Sequence, residues 1–225
     1  MIAEEVYSNI YNVREKHVFK MVFDALGSCK PSSILDVGCA TGDFLALASN
    51  RFDGSAVFGV DISEKLIELA KKRTSSKDIE LICDNFWKNP KFIQKCDVVT
   101  CFAVSGYFHD IETFLNPLID VVGSKGRLFV QGLFNYHDLY VRTNWRNTDG
   151  EWEPGLNQLP LHSTITYLKA SGFKTHWEDV HITEKIDRDS SFPHRSFSSK
   201  HPEFSLENGC HMLLKDVLIS AQRLT

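Results

Sequence analysis

Short apolar runs alternate with helix-like segments through the first 134 residues of the chain. The runs are rich in β-branched residues, and between them apolar positions recur every three or four residues. Strands that alternate with helices are typical of a parallel sheet with helices on both faces, so the predicted fold class is α/β. The five strands predicted from these runs span 33–38, 56–61, 79–83, 97–103 and 127–133.

The segments on either side extend this pattern. Apolar residues recur at helical spacing within residues 1–30, which predicts one or two N-terminal amphipathic helices that cover the sheet. After residue 160, the pattern predicts a helix over 163–171 and strands near 173–182 and 213–222. The predicted sheet therefore has seven strands.

Two stretches, 135–160 and 183–209, have no regular period and are rich in aromatic residues. Long irregular segments in a compact domain are usually binding loops or lids, so both are interpreted as insertions on the acceptor side of a ligand site. The chain of 225 residues is long enough for one core and is predicted to be a single domain, 1–225. Within it, residues 1–30 form the N-terminal helices and 31–134 the ligand-binding core.

Two polar residues are predicted to begin helices. Ser63 and Asp110 each stand directly before a segment with a helical apolar face, where a side-chain oxygen can accept from a free backbone amide. The helix after Asp110 contains Pro117, which removes one backbone hydrogen bond. We therefore expect that helix to kink or restart at the proline.

The most informative segment spans residues 34–44, where an apolar strand enters a turn of small residues and then a helix. In an open parallel sheet such a turn lies at the carboxyl edge, where ligands bind. Gly38, Ala40 and Gly42 leave room for a ligand to approach backbone amides closely. A second apolar strand ends at Asp61, and a carboxylate in that place can accept both hydroxyls of a ribose.

Two features of the turn distinguish between a dinucleotide and a cationic ligand. The spacing is G-x-A-x-G, whereas the dinucleotide fingerprint is G-x-G-x-x-G. Asp36 stands two residues before the first glycine, where its charge would repel a pyrophosphate and attract a ligand that carries an ammonium and a sulfonium. The sequence therefore favours a cationic ligand.

With these residues, the segment from Ser33 to Phe134 resembles the class I S-adenosylmethionine-dependent methyltransferases of the small-molecule type. The resemblance implies a Rossmann-like α/β fold: a seven-stranded, mostly parallel sheet with helices on both faces, an N-terminal helical cap and an insertion after the fifth strand. It also implies S-adenosyl-L-methionine as the cofactor and S-adenosyl-L-homocysteine as the product. The residues that it assigns to the methionine part and the ribose are Asp36, Gly38, Cys39, Ala40, Gly42, Asp61 and Ile62.

The resemblance continues at the ends of the third and fourth predicted strands. Family members often hold adenine with an acid and a neighbouring residue after the third strand, which implies this role for Asp84, Asn85 and Phe86. After the fourth strand, Phe102 and Ala103 stand where the family packs its cofactor. Four matches in this order make a much stronger signal than any one of them.

The residues after the fourth strand also carry the candidate catalytic groups. The family's common His-His pair is replaced here by Gly106-Tyr107, and His109 follows two residues later. If the segment follows the family's path, Tyr107 projects near the methyl group. His109 has a suitable unperturbed pKa for a general base, and the neighbouring Asp110 could orient it or raise its basicity.

The same region bears on the acceptor. The run Phe-Ala-Val-Ser differs from the Asn/Asp-Pro-Pro-aromatic run of family members that methylate exocyclic amines, and no cysteine follows a proline as in the pyrimidine C5 enzymes. The insertion 135–160 resembles those of small-molecule and natural-product methyltransferases, which favours a hydroxyl of a sugar, glycan precursor or natural product. The residues expected to contact this acceptor are Tyr136, Arg142, Trp145, Arg146, Trp152 and Asn157.

Charge and composition narrow the partners. Lys and Arg total 25 against 29 Asp and Glu, a net charge of −4, so the chain lacks the basic surplus of a nucleic-acid-binding protein. No apolar run is long enough to span a bilayer and the N-terminus is acidic, so a cytoplasmic protein without membrane contact is expected. The six cysteines form no CxxC pair and are interpreted as reduced core thiols, and no metal is expected.

Three other functions stay open at this point. A nicotinamide oxidoreductase would share the strand, turn and Asp61; binding of S-adenosylhomocysteine but not NAD would exclude it. A non-catalytic partner subunit that binds S-adenosylmethionine would be excluded by turnover of the isolated chain. A peptide or protein methyltransferase would be distinguished by acceptor profiling.

Overall fold

A computed structural model describes most of the chain. The described residues are 16–74, 78–88, 94–181, 185–188, 196–201, 203–208 and 212–224. Residues 1–15 of the predicted N-terminal helices, parts of the stretch 183–209 and Cys210 lie outside them. Among the helices of the described residues, none has the length and apolar character needed to cross a membrane.

Helices and strands alternate in the first half of the chain, as the hydrophobic pattern predicts. The helices are α1 (His17–Leu26), α2 (Asp43–Arg51), α3 (Glu64–Thr74), α4 (Ile111–Asp120) and α5 (Leu161–Ala170). The strands are β1 (Ser33–Val37), β2 (Ala56–Asp61), β3 (Ile79–Cys83), β4 (Cys96–Phe102), β5 (Val122–Asn135), β6 (Asn144–Trp145), β7 (Glu153–Pro154), β8 (Leu159–Pro160), β9 (Phe173–Asp179), β10 (Phe197–His201), β11 (Glu203–Glu207), β12 (Leu213–Leu214) and β13 (Asp216–Arg223).

The central sheet has the strand order β3-β2-β1-β4-β5-β13-β9. The first five strands run parallel, and β13 is antiparallel to both of its neighbours, β5 and β9. This confirms a mixed α/β fold with a mostly parallel sheet. The short strand β8 pairs with the end of β5 as an eighth member of the sheet.

Helices cover both faces of this sheet. Helices α1 and α2 pack on one face in a cluster with Ile34, Val98, Phe129 and Leu218. Helices α4 and α5 pack on the opposite face, where the neighbouring positions of the same strands point. Alternate residues along each strand therefore face α1, which decides which side chains meet near the start of that helix.

Both predicted helix caps are confirmed. The Leu66 amide donates to the Ser63 hydroxyl at 3.3 Å, and the Thr113 amide donates to the Asp110 carboxylate at 2.7 Å. The expected interruption at Pro117 is not seen, since α4 continues through it. Proline removes one backbone hydrogen bond, whereas three apolar side chains of this helix are fully buried and hold it against the sheet: Phe114, Leu115 and Leu118.

Two other expectations need correction. The stretches 135–160 and 183–209 are not wholly irregular, because the first holds the hairpin β6–β7 and the second the hairpin β10–β11. Strands β6 and β7 have two residues each, which is too short to show a hydrophobic alternation. Strands β10 and β11 carry Ser and His among their apolar residues, which obscures the alternation there. Among the described cysteines, Cys29 and Cys83 are exposed rather than in the core, while Cys39, Cys96 and Cys101 are buried.

The turn after β1 requires glycine at position 38 because the backbone there is left-handed and because a side chain would clash with Val104. Comparison with Gly54 separates these two effects. Gly38 and Gly54 both have left-handed backbone, with φ of +77° and +82°. A Cβ at Gly38 would lie 2.6 Å from Val104 Cγ2, whereas at Gly54 nothing lies within 4 Å. Gly54→Ala therefore measures the backbone strain alone, and Gly38→Ala adds the steric clash.

We expect Gly54→Ala to lower the free energy of unfolding by about 1 kcal/mol and Gly38→Ala by about 2–4 kcal/mol. Urea denaturation of the ligand-free proteins measures both values. Equal losses for the two variants would show that Val104 yields without cost and that the close approach does not constrain the turn.

Candidate active site

A cleft opens at the carboxyl edge of the sheet, beside the turn that follows β1. Helix α1 covers one side of it, and the ends of β4 and β5 form the other. Six of the residues assigned to the cofactor from the sequence line this cleft: Asp36, Gly38, Cys39, Ala40, Phe102 and Ala103. The structure therefore brings together residues from β1 and β4 that are more than sixty positions apart in the chain.

The turn after β1 uses its own amides to bind the neighbouring strand. The amides of Gly38 and Cys39 both donate to the Val60 carbonyl, at 2.8 and 3.0 Å, and the Ala40 amide donates to the Asp61 carboxylate at 2.9 Å. The sequence predicts that amides of this turn approach a ligand, which is wrong for these three. The small residues instead allow the turn to fold tightly against β2.

Ala40 is the position where the family's motif has a glycine. Its φ is +46°, a left-handed conformation that costs an alanine about 1 kcal/mol. The turn thus carries backbone strain, which its hydrogen bond to Asp61 offsets.

Asp61 links the turn after β1 to the turn before α3. One carboxylate oxygen accepts from the Ala40 amide and the other from the Ser63 amide, both at 2.9 Å. Each oxygen of a carboxylate can accept more than one hydrogen bond. Asp61 is 9% exposed, and its backbone carbonyl accepts from the Asp84 amide at 3.0 Å, which brings the end of β3 alongside.

Asp36 is the most deeply buried carboxyl group in the cleft. It is 2% exposed and accepts from the Thr100 hydroxyl at 2.7 Å. Burial raises its pKa to about 7, against the lowering effects of the Thr100 hydrogen bond and the Lys16 charge. An opposite charge placed beside it would recover the cost of burying its ionised form.

The start of α2 is already occupied by an acid. Asp43, in the first turn of that helix, forms a buried ion pair with Arg73 at 2.9 Å, and Arg73 also donates to the Thr41 hydroxyl at 2.8 Å. A carboxylate there satisfies the positive end of the helix dipole, the place where a pyrophosphate would otherwise bind. Sequence analysis names neither Asp43 nor Arg73 in this role.

The residues assigned to adenine lie at the end of β3, and Ile62, assigned to the ribose, directly follows Asp61. Asp84 and Asn85 are half-buried at the end of β3, whereas Ile62 is 69% exposed. Phe86 is buried in the core, with its ring centroid 5.4 Å from that of Trp87. Asn85 and Ile62 therefore present more surface at this edge than Phe86.

Asn157 fixes the state of His109. Its side-chain amide nitrogen lies 3.2 Å from the Phe108 carbonyl and 3.3 Å from His109 Nδ1, while its oxygen accepts from the Thr143 amide at 3.2 Å. Because the carbonyl requires a donor and the amide an acceptor, the nitrogen must face His109. Nδ1 then accepts, and the neutral imidazole carries its proton on Nε2.

This arrangement argues against His109 as the general base, since the outward nitrogen is a donor. The Asp110 carboxylate accepts from the Thr113 amide at the start of α4, and its predicted role beside His109 remains a prediction. These hydrogen bonds lower the pKa of Asp110, with a smaller effect from the nearby charge of Arg142. Tyr107, in a short 3₁₀ turn at the edge of the cleft, is 57% exposed.

The insertion 135–160 is attached to this same edge. The Asn157 amide donates to the Gly106 carbonyl at 2.8 Å, and a Cβ at Gly106 would lie 3.2 Å from Leu156. Asn157 is 5% exposed and is therefore a structural bracket between the insertion and the turn that carries Tyr107. This corrects its predicted role as an acceptor contact.

The other predicted acceptor residues separate into two groups. Tyr136 donates to Asp179 and packs against Trp177, so its hydroxyl is engaged inside the protein. On the hairpin β6–β7, the Arg146 guanidinium lies 5.1 Å from the centre of the exposed Trp152 ring. Arg142 is exposed, and Trp145 is half-buried on the same hairpin.

Some residues at the cleft have no sequence signal of their own. Asp216 begins β13, accepts from Gln131 and has a pKa that burial raises to about 7. Thr100 and Gln131 face α1 together with Asp36, because each lies two positions from a residue of the cluster under that helix. Only the sheet register shows that these three side chains face the same helix. Lys16 could have been noticed from the sequence as a cation directly before a helix.

Comparison with known proteins agrees with this arrangement. The sequence family described as "Methyltransferase domain" matches residues 34–126. The malonyl-[acyl-carrier protein] O-methyltransferase of Acetivibrio thermocellus is 32% identical over 95 residues, which cover 42% of this chain and 33% of the relative. The chain thus spans about a third of the length of the first curated relatives that it matches.

A longer match is found with the demethylmenaquinone methyltransferase of Thermotoga maritima. It is 29% identical over 182 residues, which cover 72% of this chain and 78% of the relative. Among solved structures, a candidate S-adenosylmethionine-dependent methyltransferase from Listeria monocytogenes superposes with a TM-score of 0.66 at 13% identity. That superposition covers 93% of this chain and 99% of the Listeria protein, and it supports the fold.

The sheet order, the turn after β1 and the match over residues 34–126 lead to the same assignment. The acidic turn and the acid at the start of α2 agree with a cationic ligand rather than a dinucleotide. Residues 34–126 of this chain are thus similar to the methyltransferase-domain family, on a fold shared with the Listeria protein.

Proposed function

We propose that this chain transfers the methyl group of S-adenosylmethionine to an oxygen atom of a small polar molecule. The observation that carries the proposal is the buried Asp36 carboxyl in the cleft beside the Gly38–Gly42 turn. A buried acid with a raised pKa binds a cation in preference to an anion, and this cofactor carries both an ammonium and a sulfonium.

The remaining parts of the cofactor follow from the order of the strands. Asp61 at the end of β2 would accept from the ribose hydroxyls, and Asp84 with Asn85 at the end of β3 would meet the adenine. Phe102 and Ala103 at the end of β4 would lie beside the sulfonium. The cofactor would thus extend along the carboxyl edge of the sheet.

Methyl transfer from a sulfonium is an in-line displacement: the acceptor oxygen forms a bond to the methyl carbon as the carbon–sulfur bond breaks. The enzyme mainly has to align the three atoms and exclude water. Tyr107, as a positioning group, and the insertion held by Asn157 would do this. The acceptor proton would leave to solvent or to a group of the acceptor.

A hydroxyl acceptor of a sugar, glycan precursor or natural product fits the polar and aromatic side chains of the insertion. The Acetivibrio relative is named as an O-methyltransferase, which supports oxygen as the receiving atom. Three expectations from the sequence remain predictions: that catalysis needs no metal, that the chain binds neither nucleic acid nor a membrane, and that it is cytoplasmic.

The direct test is turnover with methyl-labelled S-adenosylmethionine and a panel of sugars, nucleotide sugars, phenols and carboxylic acids. We expect label on an oxygen of at least one small molecule. Label on peptides or proteins alone would favour the protein-methylating alternative, and tight cofactor binding without any turnover would favour a non-catalytic subunit.

Replacing Asp61 should affect both binding and stability. Asp61→Ala removes the ribose acceptor, which we expect to weaken S-adenosylmethionine binding by about 30- to 150-fold. It also leaves the Ala40 and Ser63 amides without their acceptor, so the free energy of unfolding should fall by about 2 kcal/mol. Calorimetry and urea denaturation measure the two effects.

The matched control for Asp61 is Ser63→Ala, which removes the side-chain cap of α3 and keeps the backbone amide. It should lower stability by about 1 kcal/mol and leave cofactor affinity unchanged. Unchanged affinity of Asp61→Ala would show that this carboxylate serves only the turns.

Cofactor binding should depend on pH through Asp36. Below its pKa of about 7 the carboxyl is protonated in the ligand-free protein, so a bound ammonium must first displace that proton. Affinity should therefore rise roughly tenfold between about pH 6 and pH 7.5. Asp36→Asn should bind more weakly and lose this rise, whereas Asp97→Asn at the opposite edge of the sheet should keep it. A wild-type affinity that is flat over this range would contradict the assignment.

His109 should be dispensable for the chemical step. Once an acceptor is identified, we expect His109→Gln to keep kcat within about threefold, because its outward nitrogen is a donor. A general base would cost on the order of a hundredfold. A loss of that size with unchanged cofactor affinity would show that His109 changes tautomer on binding and acts as the base.

A further inference from the structure

Gln131 is a polar residue of the cleft to which neither the sequence motifs nor the comparisons assign a role. It lies on β5, in register with Phe102 on β4 and with Leu218 on β13, and it lines the cleft. Its backbone carbonyl accepts from the Ala103 amide at 2.8 Å. Gln131 is therefore tied directly to the residues at the end of β4.

The order of the strands places Gln131 beyond the sulfur end of the proposed cofactor site. In that site β3 would meet the adenine, β2 the ribose, β1 the amino-acid end and β4 the sulfonium, and β5 is the next strand of the sheet. The atom that receives the methyl group must lie beyond the methyl carbon, in line with the carbon–sulfur bond. On this order the acceptor would meet β5, and Gln131 is the β5 residue among those that line the cleft.

Asp216 fixes which way the Gln131 amide points. The amide nitrogen of Gln131 donates to the Asp216 carboxylate on β13. An ionised carboxylate can only accept, so the nitrogen must face Asp216. The amide oxygen, Oε1, is then the polar atom that Gln131 can present to the cleft.

The charges around this oxygen disfavour an anionic acceptor. Burial raises the pKa of Asp36 on β1 and of Asp216 on β13 to about 7, and both groups interact with the charge of Lys16. A carboxylate acceptor would add a third acidic group to these two. A neutral hydroxyl would avoid that repulsion and would donate its hydrogen to Oε1.

We infer that Oε1 of Gln131 accepts a hydrogen bond from the acceptor hydroxyl, that Asp216 holds the amide in this orientation, and that the pair selects a neutral hydroxyl over a carboxylate. This inference rests on the proposed function and specifies its acceptor. The hydroxyl oxygen uses a lone pair to bond the methyl carbon, while the electron pair of the carbon–sulfur bond stays with sulfur. The methylated oxygen then loses its proton to water, and Gln131 stays neutral throughout.

The first measurement is calorimetry and needs no acceptor. We expect Gln131→Leu to bind S-adenosylmethionine and S-adenosylhomocysteine within about twofold of the wild type, because Oε1 faces the acceptor rather than the cofactor. A loss of about tenfold would show that Gln131 contacts the cofactor and would overturn the inference. Gln131→Met, of nearly the same length, takes the place of the leucine variant if that variant fails to fold.

The second measurement identifies the bond that the wild type makes in the labelled acceptor panel. Mild alkali releases a methyl group from a carboxylate ester and leaves a methyl ether intact. We expect label that is stable to alkali. Label that alkali releases would overturn the inference and leave the proposed transfer to oxygen in place, whereas no turnover of any panel member would overturn the proposed function itself.

The third measurement uses the hydroxyl compound that this assay labels. Gln131→Leu should lower kcat by about 10- to 30-fold and change the KM for the acceptor by less than about threefold, because the lost hydrogen bond aligns the oxygen. Gln222→Leu is the matched control, since Gln222 is exposed near the opposite end of β13, and it should keep the wild-type kcat. An unchanged kcat in Gln131→Leu would overturn the inference.

Asp216 is a positioning residue, and the pH profile of kcat tests its role. Burial raises its pKa to about 7, and the charges that face it are Asp179 on β9, which raises the pKa, and Lys16 before α1, which lowers it. Above this pKa the carboxylate holds the amide nitrogen of Gln131; below it the protonated carboxyl can donate to Oε1 and turn the amide.

With cofactor and acceptor both saturating, kcat of the wild type should therefore rise about tenfold between about pH 6 and pH 8. Saturation removes the effect of Asp36 on cofactor binding. Asp216→Asn should be about tenfold slower than the wild type at about pH 8 and flat over this range, because its amide can donate to Oε1 at every pH. A flat wild-type profile, or a rise that Asp216→Asn retains, would overturn the inference.

Discussion

The Asp61 carboxylate holds the ligand-binding edge of this molecule together. Its two oxygens accept from the amide of Ala40, in the turn after β1, and from the amide of Ser63, before α3. The first turn contains three residues with left-handed backbone, Gly38, Ala40 and Gly42, and this conformation strains only the alanine, whose amide Asp61 binds. The start of α2 depends on this link, because the turn after β1 leads directly into that helix.

The electrostatics of the cleft follow from what this link places nearby. Asp36, Asp43 and Asp61 are all buried within one short stretch of the edge. Asp43 is neutralised by Arg73, and Asp36 is held beside Thr100 with a pKa near neutrality. A site with this balance stabilises a cation and disfavours a pyrophosphate, which is why a shared strand-turn-helix architecture here serves a different cofactor class.

Sequence reasoning succeeded where the signal is local. The five parallel strands, the caps Ser63 and Asp110 and the small-residue turn each depend on neighbours in the chain, and hydrophobic period or turn chemistry reveals them. The same reasoning failed where contacts join distant segments. The contacts from the Asn157 side chain to the Phe108 carbonyl and the His109 imidazole span almost fifty residues, and no local pattern reveals them.

The cleft was predictable in part for the same reason. Asp36, Gly38 and Ala40 follow one another in a motif, but Gln131, Asp216 and Lys16 reach the site only through the sheet register and the path of α1.

The most direct test of the central claim is calorimetric titration of the ligand-free protein with S-adenosylhomocysteine and, in parallel, with NAD. The account predicts binding of S-adenosylhomocysteine and none of NAD; binding of NAD in the same cleft would contradict it.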